Sequence, residues 1–133
     1  MQDAHHIRVL LADDSPEIVS VLRALIRISS DLECVGNVSC ADALPEAVKL
    51  DGPDVVLVDL TMPGRAPLEV IQEIARTHPK TRSVVFSGYD DEDTVQSALN
   101  AGASGFVSKN ADIQNVMDAI REVAAGMVCV RRG

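Results

Sequence analysis

Five short aliphatic runs, each followed by a stretch with helical periodicity, constrain this chain more than any other feature of its sequence. The runs IRVLLA at 7–12, LECVGNVS at 32–39, DVVLVDL at 54–60, SVVFS at 83–87 and GFVS at 105–108 have the length and residue types of strands. The third is apolar almost throughout, the pattern of a central strand covered on both faces. After the first run, Ile18, Val21, Leu22, Leu25 and Ile26 share one helical face, with Ser15 placed to cap it and Pro16 at the first helical position. A shorter helix fits 41–50, limited at its start by Pro45, and another fits 67–77, with Leu68, Ile71, Ile74 and Ala75 on one face and Pro79 beyond it. The acidic run DDED at 90–93 opens a fourth helix at the end where a helix dipole favours negative charge, and Gly102 closes it. The fifth helix covers about 112–125, with Ile113, Val116, Met117 and Ile120 on one face. Parallel strands joined through helices cross over in one hand, and a sheet buried on both sides needs helices on both. The chain is therefore read as an α/β domain with an open, doubly wound sheet, having too few units for an eight-fold barrel.

Composition agrees. A chain of 133 residues that is 47% hydrophobic suffices for one core, and with only 2% aromatic residues that core must be built from Val, Leu, Ile and Ala. A net charge of −8 argues against direct binding of nucleic acid, which depends on clustered Lys and Arg. Cys34, Cys40 and Cys129 show no CxxC spacing, so they read as small hydrophobes rather than zinc ligands or a disulfide framework. No apolar run is long enough for a membrane span and no signal-peptide pattern occurs, so the expected location is cytoplasmic. The domain is expected over 1–127, with 128–133 (VCVRRG) as a tail or the start of a linker.

Ligands of such sheets sit at the carboxyl ends of the strands. There the sequence places Asp13 and Asp14 after the first run, Asp59 at the end of the third, Ser87 at the end of the fourth and Lys109 directly after the fifth. Converging carboxylates repel unless a cation lies among them, and an oxygen-only set suits Mg²⁺ better than zinc. His5 and His6 form no spaced pair with this set and are read as a solvated tail pair. A metal held by carboxylates, with an ammonium and a hydroxyl opposite, is equipment for a phosphoryl group. Each motif alone has a plainer reading: an acidic pair can be a solvated loop, a lone Lys a surface residue, and Asp59 a loop or capping carboxylate.

Together, LLADDS, VLVDLTMPG, the FSG after the fourth run and FVSK at the fifth resemble the motif set of response-regulator receiver domains, in order and over nearly the whole chain. The resemblance implies a flavodoxin-like, five-stranded parallel sheet of order 2-1-3-4-5 with five helices. It implies that Asp59 accepts a phosphoryl group from a sensor histidine kinase. It further implies that Asp14, Asp59 and the backbone carbonyl of Thr61 ligate Mg²⁺, that Asp13 acts through a water, and that Lys109 and Ser87 hold the phosphoryl group. Such a chain is a switch whose chemistry is its own phosphorylation and dephosphorylation. In the family a hydroxyl and an aromatic move together; here these are Ser87 and Phe106. GASGFVSK and REVAAG are similar to receivers of LuxR-type transcription regulators, which implies an output through a DNA-binding domain outside these residues and self-association through the first and fifth helices.

Two positions depart from the family pattern. Phe106 stands where Tyr is common, so a movement there is read through packing alone, and a static buried Phe is the alternative. Asn110 stands where Pro is frequent, which removes any presumption of a cis peptide after Lys109. Thr61 and Tyr89 flank the site and are candidates for control of water access. Met62, Pro63 and Gly64 are read as shaping the turn that presents Asp59. A phosphatase with an aspartyl phosphate would carry DxD after the first strand, and an FMN binder would offer more aromatic surface than one Tyr and no Trp. A degenerate receiver acting as a scaffold would lack some of the key residues, all of which are present.

Overall fold

The computed structural model describes residues 6–133, so His5 lies outside the described residues. Strand β1 (Ile7–Ala12) is followed by α1 (Pro16–Ile28), β2 (Leu32–Val38), a 3-10 turn at Ala41–Ala43, α2 (Leu44–Asp51) and β3 (Val55–Val58). Then come α3 (Pro67–Thr77), β4 (Arg82–Ser87), α4 (Glu92–Ala101), β5 (Gly105–Ser108), α5 (Gln114–Ala124) and β6 (Cys129–Arg131). The sheet order is β2-β1-β3-β4-β5-β6, and every neighbouring pair is parallel.

Five strands thus take the expected order 2-1-3-4-5, with five helices, and a sixth strand extends the sheet. Residues 129–131, expected in a tail, pair with β5 through Gly105↔Cys129, Phe106↔Val130 and Val107↔Arg131. A strand of three residues that buries only Cys129 leaves too short an alternation to recognise in sequence. With β6 in place, α5 becomes the crossover of a β5-α5-β6 unit rather than a final helix. The third run is also shorter than read: the ladder of β3 stops at Val58, one residue before Asp59.

Alternation along the strands feeds two cores. Val9, Leu11, Val55, Leu57, Val84, Phe86 and Val107 face α1 and α5, where they meet Leu22, Ile26, Val116, Met117 and Ile120. Leu10, Ala12, Val56, Val58, Val85 and Phe106 face α2, α3 and α4, against Leu44, Val48, Val70, Ile71, Ile74, Val95 and Ala98. The helices start and stop where local chemistry dictates. The Ser15 hydroxyl accepts the Ile18 amide with Pro16 beside it, Asp91 caps α4 through the Thr94 amide, and Gly102 ends α4 in the left-handed region at φ 110°. Pro45 is accommodated in the first turn of α2 because a 3-10 turn carries the chain into it. On α3, Val70 joins Ile71 and Ile74 in the core, while Ala75 is exposed; on α1, Val21 is exposed. No helix among the described residues is long and apolar enough to cross a membrane.

Candidate functional site

Because β1 and β3 are adjacent and in register, the residues that follow them emerge side by side at the carboxyl edge. The Asp59 amide donates to Ala12 O at 2.9 Å, and the Asp13 amide to Val38 O at 3.1 Å, which fixes both backbones just beyond the ladder. Carboxylate oxygens of Asp13, Asp14 and Asp59 all lie within 4.8 Å of one another. Asp13 and Asp59 are buried, 4% and 3% exposed, and Asp14 faces solvent. Lys109 reaches in from the end of β5, its Nζ 3.4 Å from Asp13 Oδ2 and 3.5 Å from Asp59 Oδ1, with the ammonium 5.3 Å from the centre of the Phe86 ring. Its backbone amide donates to Ser87 O at 2.8 Å, tying the ends of β4 and β5.

Burial raises the Asp13 carboxyl above its ordinary range. The Ser15 amide, 2.8 Å from Oδ1, opposes that, Asp59 adds to it, and Lys109 opposes it again. Three carboxylates against one ammonium leave two negative charges unbalanced in a cluster whose donors are all carboxylate oxygens. A hard divalent cation fits both the charge and the donor type, and the exposed side at Asp14 leaves room for its waters. The acidic pocket can therefore hold a metal ion.

The other sequence-singled residues divide into two groups. Ser87 is fully buried at the end of β4, and its Oγ accepts the Tyr89 amide at 3.0 Å. Thr61 is exposed and attends Asp59 from the chain's next turn: its amide lies 3.0 Å from Oδ1, and its hydroxyl donates to Oδ1 at 2.9 Å and Oδ2 at 3.1 Å. That hydroxyl contact was not anticipated, and the TMPG turn after the strand was its only trace in the sequence. Phe106 is fully buried on the α2–α4 side, away from the cluster's apolar neighbour Phe86 on the other. His6 is exposed and outside the cluster. Cys34 and Cys40 are half-buried and Cys129 is buried, all as free thiols. The Lys109–Asn110 peptide is trans, as are the others among the described residues.

Sequence reasoning passed over Ser108 and Asp90. Ser108, also fully buried, ends β5 beside Ser87 and accepts the Asn110 amide at 3.0 Å. Asp90, read only as part of the acidic run that opens the fourth helix, is partly covered, its carboxylate accepting the Gly133 amide at 3.0 Å. The Asp90 contact has no local signal, since it depends on a residue distant in sequence, whereas the Ser108 contact is a local turn two residues long.

Fold and site together define a doubly wound α/β domain with an acidic, lysine-bridged cluster at the carboxyl edge of its sheet. The response regulator receiver domain family matches residues 9–121, and the chain belongs to that family of phosphorylation-activated receivers of two-component signalling. It is 32% identical over 126 residues to the nitrate/nitrite response regulator protein NarL of Escherichia coli K12, covering 95% of this chain and 58% of that protein. It is 32% identical over 120 residues to the response regulator UvrY of the same strain, covering 90% of this chain and 55% of UvrY. The chain thus spans a little over half the length of these relatives. Among solved structures, a LuxR-family two-component response regulator from Aurantimonas sp. SI85-9A1 superposes with a TM-score of 0.88 at 28% identity, covering 93% of this chain and 89% of that one. These likenesses support a LuxR/NarL-type receiver.

Proposed function

We propose that Asp59 is the phosphoacceptor and that Mg²⁺ is the metal. The observation that carries this is the meeting of Asp13, Asp14 and Asp59 with Lys109 Nζ at the one edge of the sheet where ligands bind. A carboxylate oxygen of Asp59 attacks phosphorus of a phosphohistidine; the P–O bond forms as the P–N bond breaks, and the imidazole leaves with a proton from solvent. Bound Mg²⁺ would neutralise phosphoryl oxygens, held by Asp14, Asp59 and the Thr61 carbonyl, with Asp13 acting through a water. Lys109, now shared between Asp13 and Asp59, follows the negative charge onto the phosphoryl group. Ser87 turns its hydroxyl from the Tyr89 amide to a phosphoryl oxygen, and Phe106 repacks with it.

The donor is a sensor histidine kinase. The groove lined by Glu17, Ile18, Val21, Phe86, Lys109 and Ile113 supports docking of an apolar helix next to Lys109. The longer relatives, named as response and transcriptional regulators, support an output through a DNA-binding domain; the receiver acts in the cytoplasm and self-associates through the apolar faces of α1 and α5 on phosphorylation. Dephosphorylation occurs in the same pocket, so the chain catalyses only its own phosphoryl turnover.

Incubation with acetyl phosphate and Mg²⁺ should add about 80 Da to the intact mass of the wild-type chain and nothing to Asp59→Asn. An adduct of equal yield in Asp59→Asn would assign the acceptor elsewhere. Release of many phosphates per chain would instead mark a phosphatase.

A further inference from the structure

Residues 129–133 do more than extend the sheet: they fold back over the loop that leaves the functional edge. The Arg131 guanidinium is held on α5 by Asn115 Oδ1 at 2.9 Å and by the Glu122 carboxylate. Arg132 Nε then donates to the backbone carbonyl of Asp90 at 2.8 Å, and the Gly133 amide donates to Asp90 Oδ2 at 3.0 Å. Asp90 sits in the β4–α4 loop, three residues after Ser87 and immediately before Asp91, the cap of α4.

The opposite end of the same short loop is tied to the pocket. Ser87 Oγ holds the Tyr89 amide, Ser87 O holds the Lys109 amide, and Asn110 Nδ2 lies 3.4 Å from Gly88 O. Open space lies beside Gly88, where a Cβ would meet nothing within 4 Å. Loop residues 88–90 are thus pinned between the pocket and the terminal segment. The Asp90 carboxyl lies below the usual range because the Ser108 side chain and the Gly133 amide both favour its charge, which agrees with that clamp.

A phosphoryl group on the neighbouring edge adds up to two negative charges and several strong acceptors, and the buried hydroxyl of Ser87 stands at the same edge, at the end of the strand next to β3. Once that hydroxyl turns toward the phosphoryl oxygens, the Tyr89 amide loses its acceptor and the loop must rearrange. We propose that residues 129–133 form a regulatory strap that docks on β5 and Asp90 when the pocket lacks a phosphoryl group and undocks when the 87–90 loop follows Ser87 inward. The strap is an edge strand of three residues with an exposed flank, so its local opening lies at the low end of the protein's stability range. Linkage makes the effect reciprocal: if phosphorylation weakens docking, weakening the dock favours phosphorylation.

The inference rests on the Asp59 reading, and the test separates the two. Intact mass first establishes whether acetyl phosphate and Mg²⁺ produce the Asp59 adduct. Amide hydrogen exchange on the same sample should then show residues 129–133 exchanging about tenfold faster in the phosphorylated chain than in the free one, with α2 unchanged. The exposed substitution Arg132→Ala, which leaves every pocket residue in place, should speed exchange of the strap in the free protein and raise the equilibrium affinity for beryllofluoride, a mimic of the phosphoryl group, about threefold in the presence of Mg²⁺. An adduct without faster strap exchange overturns the strap and leaves the phosphoacceptor intact, as does an Arg132→Ala protein that binds beryllofluoride with the wild-type affinity. Absence of any adduct overturns both.

Discussion

Burial beside Asp59 makes the ionised form of Asp13 costly, while the Ser15 amide and Lys109 favour it; burial prevails, and the carboxyl is raised. A folded-state pKa above the unfolded value near 3.8 means that stability falls as pH rises through the interval between the two. Asp13→Asn keeps an oxygen for the Ser15 amide and removes that penalty. In metal-free buffer at neutral pH its Tm should exceed wild type by about 4 °C, the size of an effect of roughly 1 kcal/mol in a domain of this length. The gain should vanish below about pH 4, and Mg²⁺-dependent phosphorylation should be lost with the carboxylate. Thermal melts across pH, with an adduct assay at pH 7, check all three; a mutant less stable than wild type at neutral pH would show that Lys109 outweighs burial. Asp13 was legible as a functional residue because it follows the first strand run, beside Asp14 in the LLADDS motif, at the edge of the sheet where ligands bind. The Thr61 hydroxyl was not legible in this way, because its contact with Asp59 depends on how the TMPG turn folds back.

At the level of elements, the five βα units could be read from periodicity because each strand and helix carries its own amphipathic pattern and its own stop signal. Gly102 shows how local and tertiary demands coincide. It ends α4 with φ at 110°, and a Cβ there would lie 2.9 Å from Ala75 Cβ on α3. The sequence suggested the left-handed cap but not the close approach of α3. Gly102→Ala should therefore destabilise the domain by about 2 kcal/mol, the conformational and steric costs acting together. Adding Ala75→Gly to the Gly102→Ala background should relieve only the steric part, less the cost of a helical glycine. A double-mutant cycle by urea unfolding should accordingly return a favourable coupling energy of about 1 kcal/mol. Zero coupling would mean that the helices shift freely to accept the methyl group. The strand β6 lies at the other extreme: one buried Cys and two ladder neighbours carry no pattern of their own, so pairing with β5 alone creates it.

For the molecule as a whole, the acidic edge couples metal binding to folding, since the three carboxylates converge only when β1 and β3 are paired. Saturating Mg²⁺ at about a hundred times its dissociation constant should stabilise the wild-type domain by roughly 2.7 kcal/mol, and the rise in Tm should be much smaller in Asp14→Asn. Equal Mg²⁺ shifts in both proteins, measured calorimetrically at constant ionic strength, would place the ion elsewhere. By itself, the sequence determined the class of fold, the order of its first ten strands and α-helices, and the polar residues that end the strands. Those properties follow from hydrophobic period, capping and turn chemistry, which act over a few residues. Only the tertiary structure decided that Lys109 bridges Asp13 and Asp59 and that the final residues return to Asp90. Each of these joins groups that have no local preference for one another, and their meeting is set by how the sheet stacks its strands and how the helices carry the chain back.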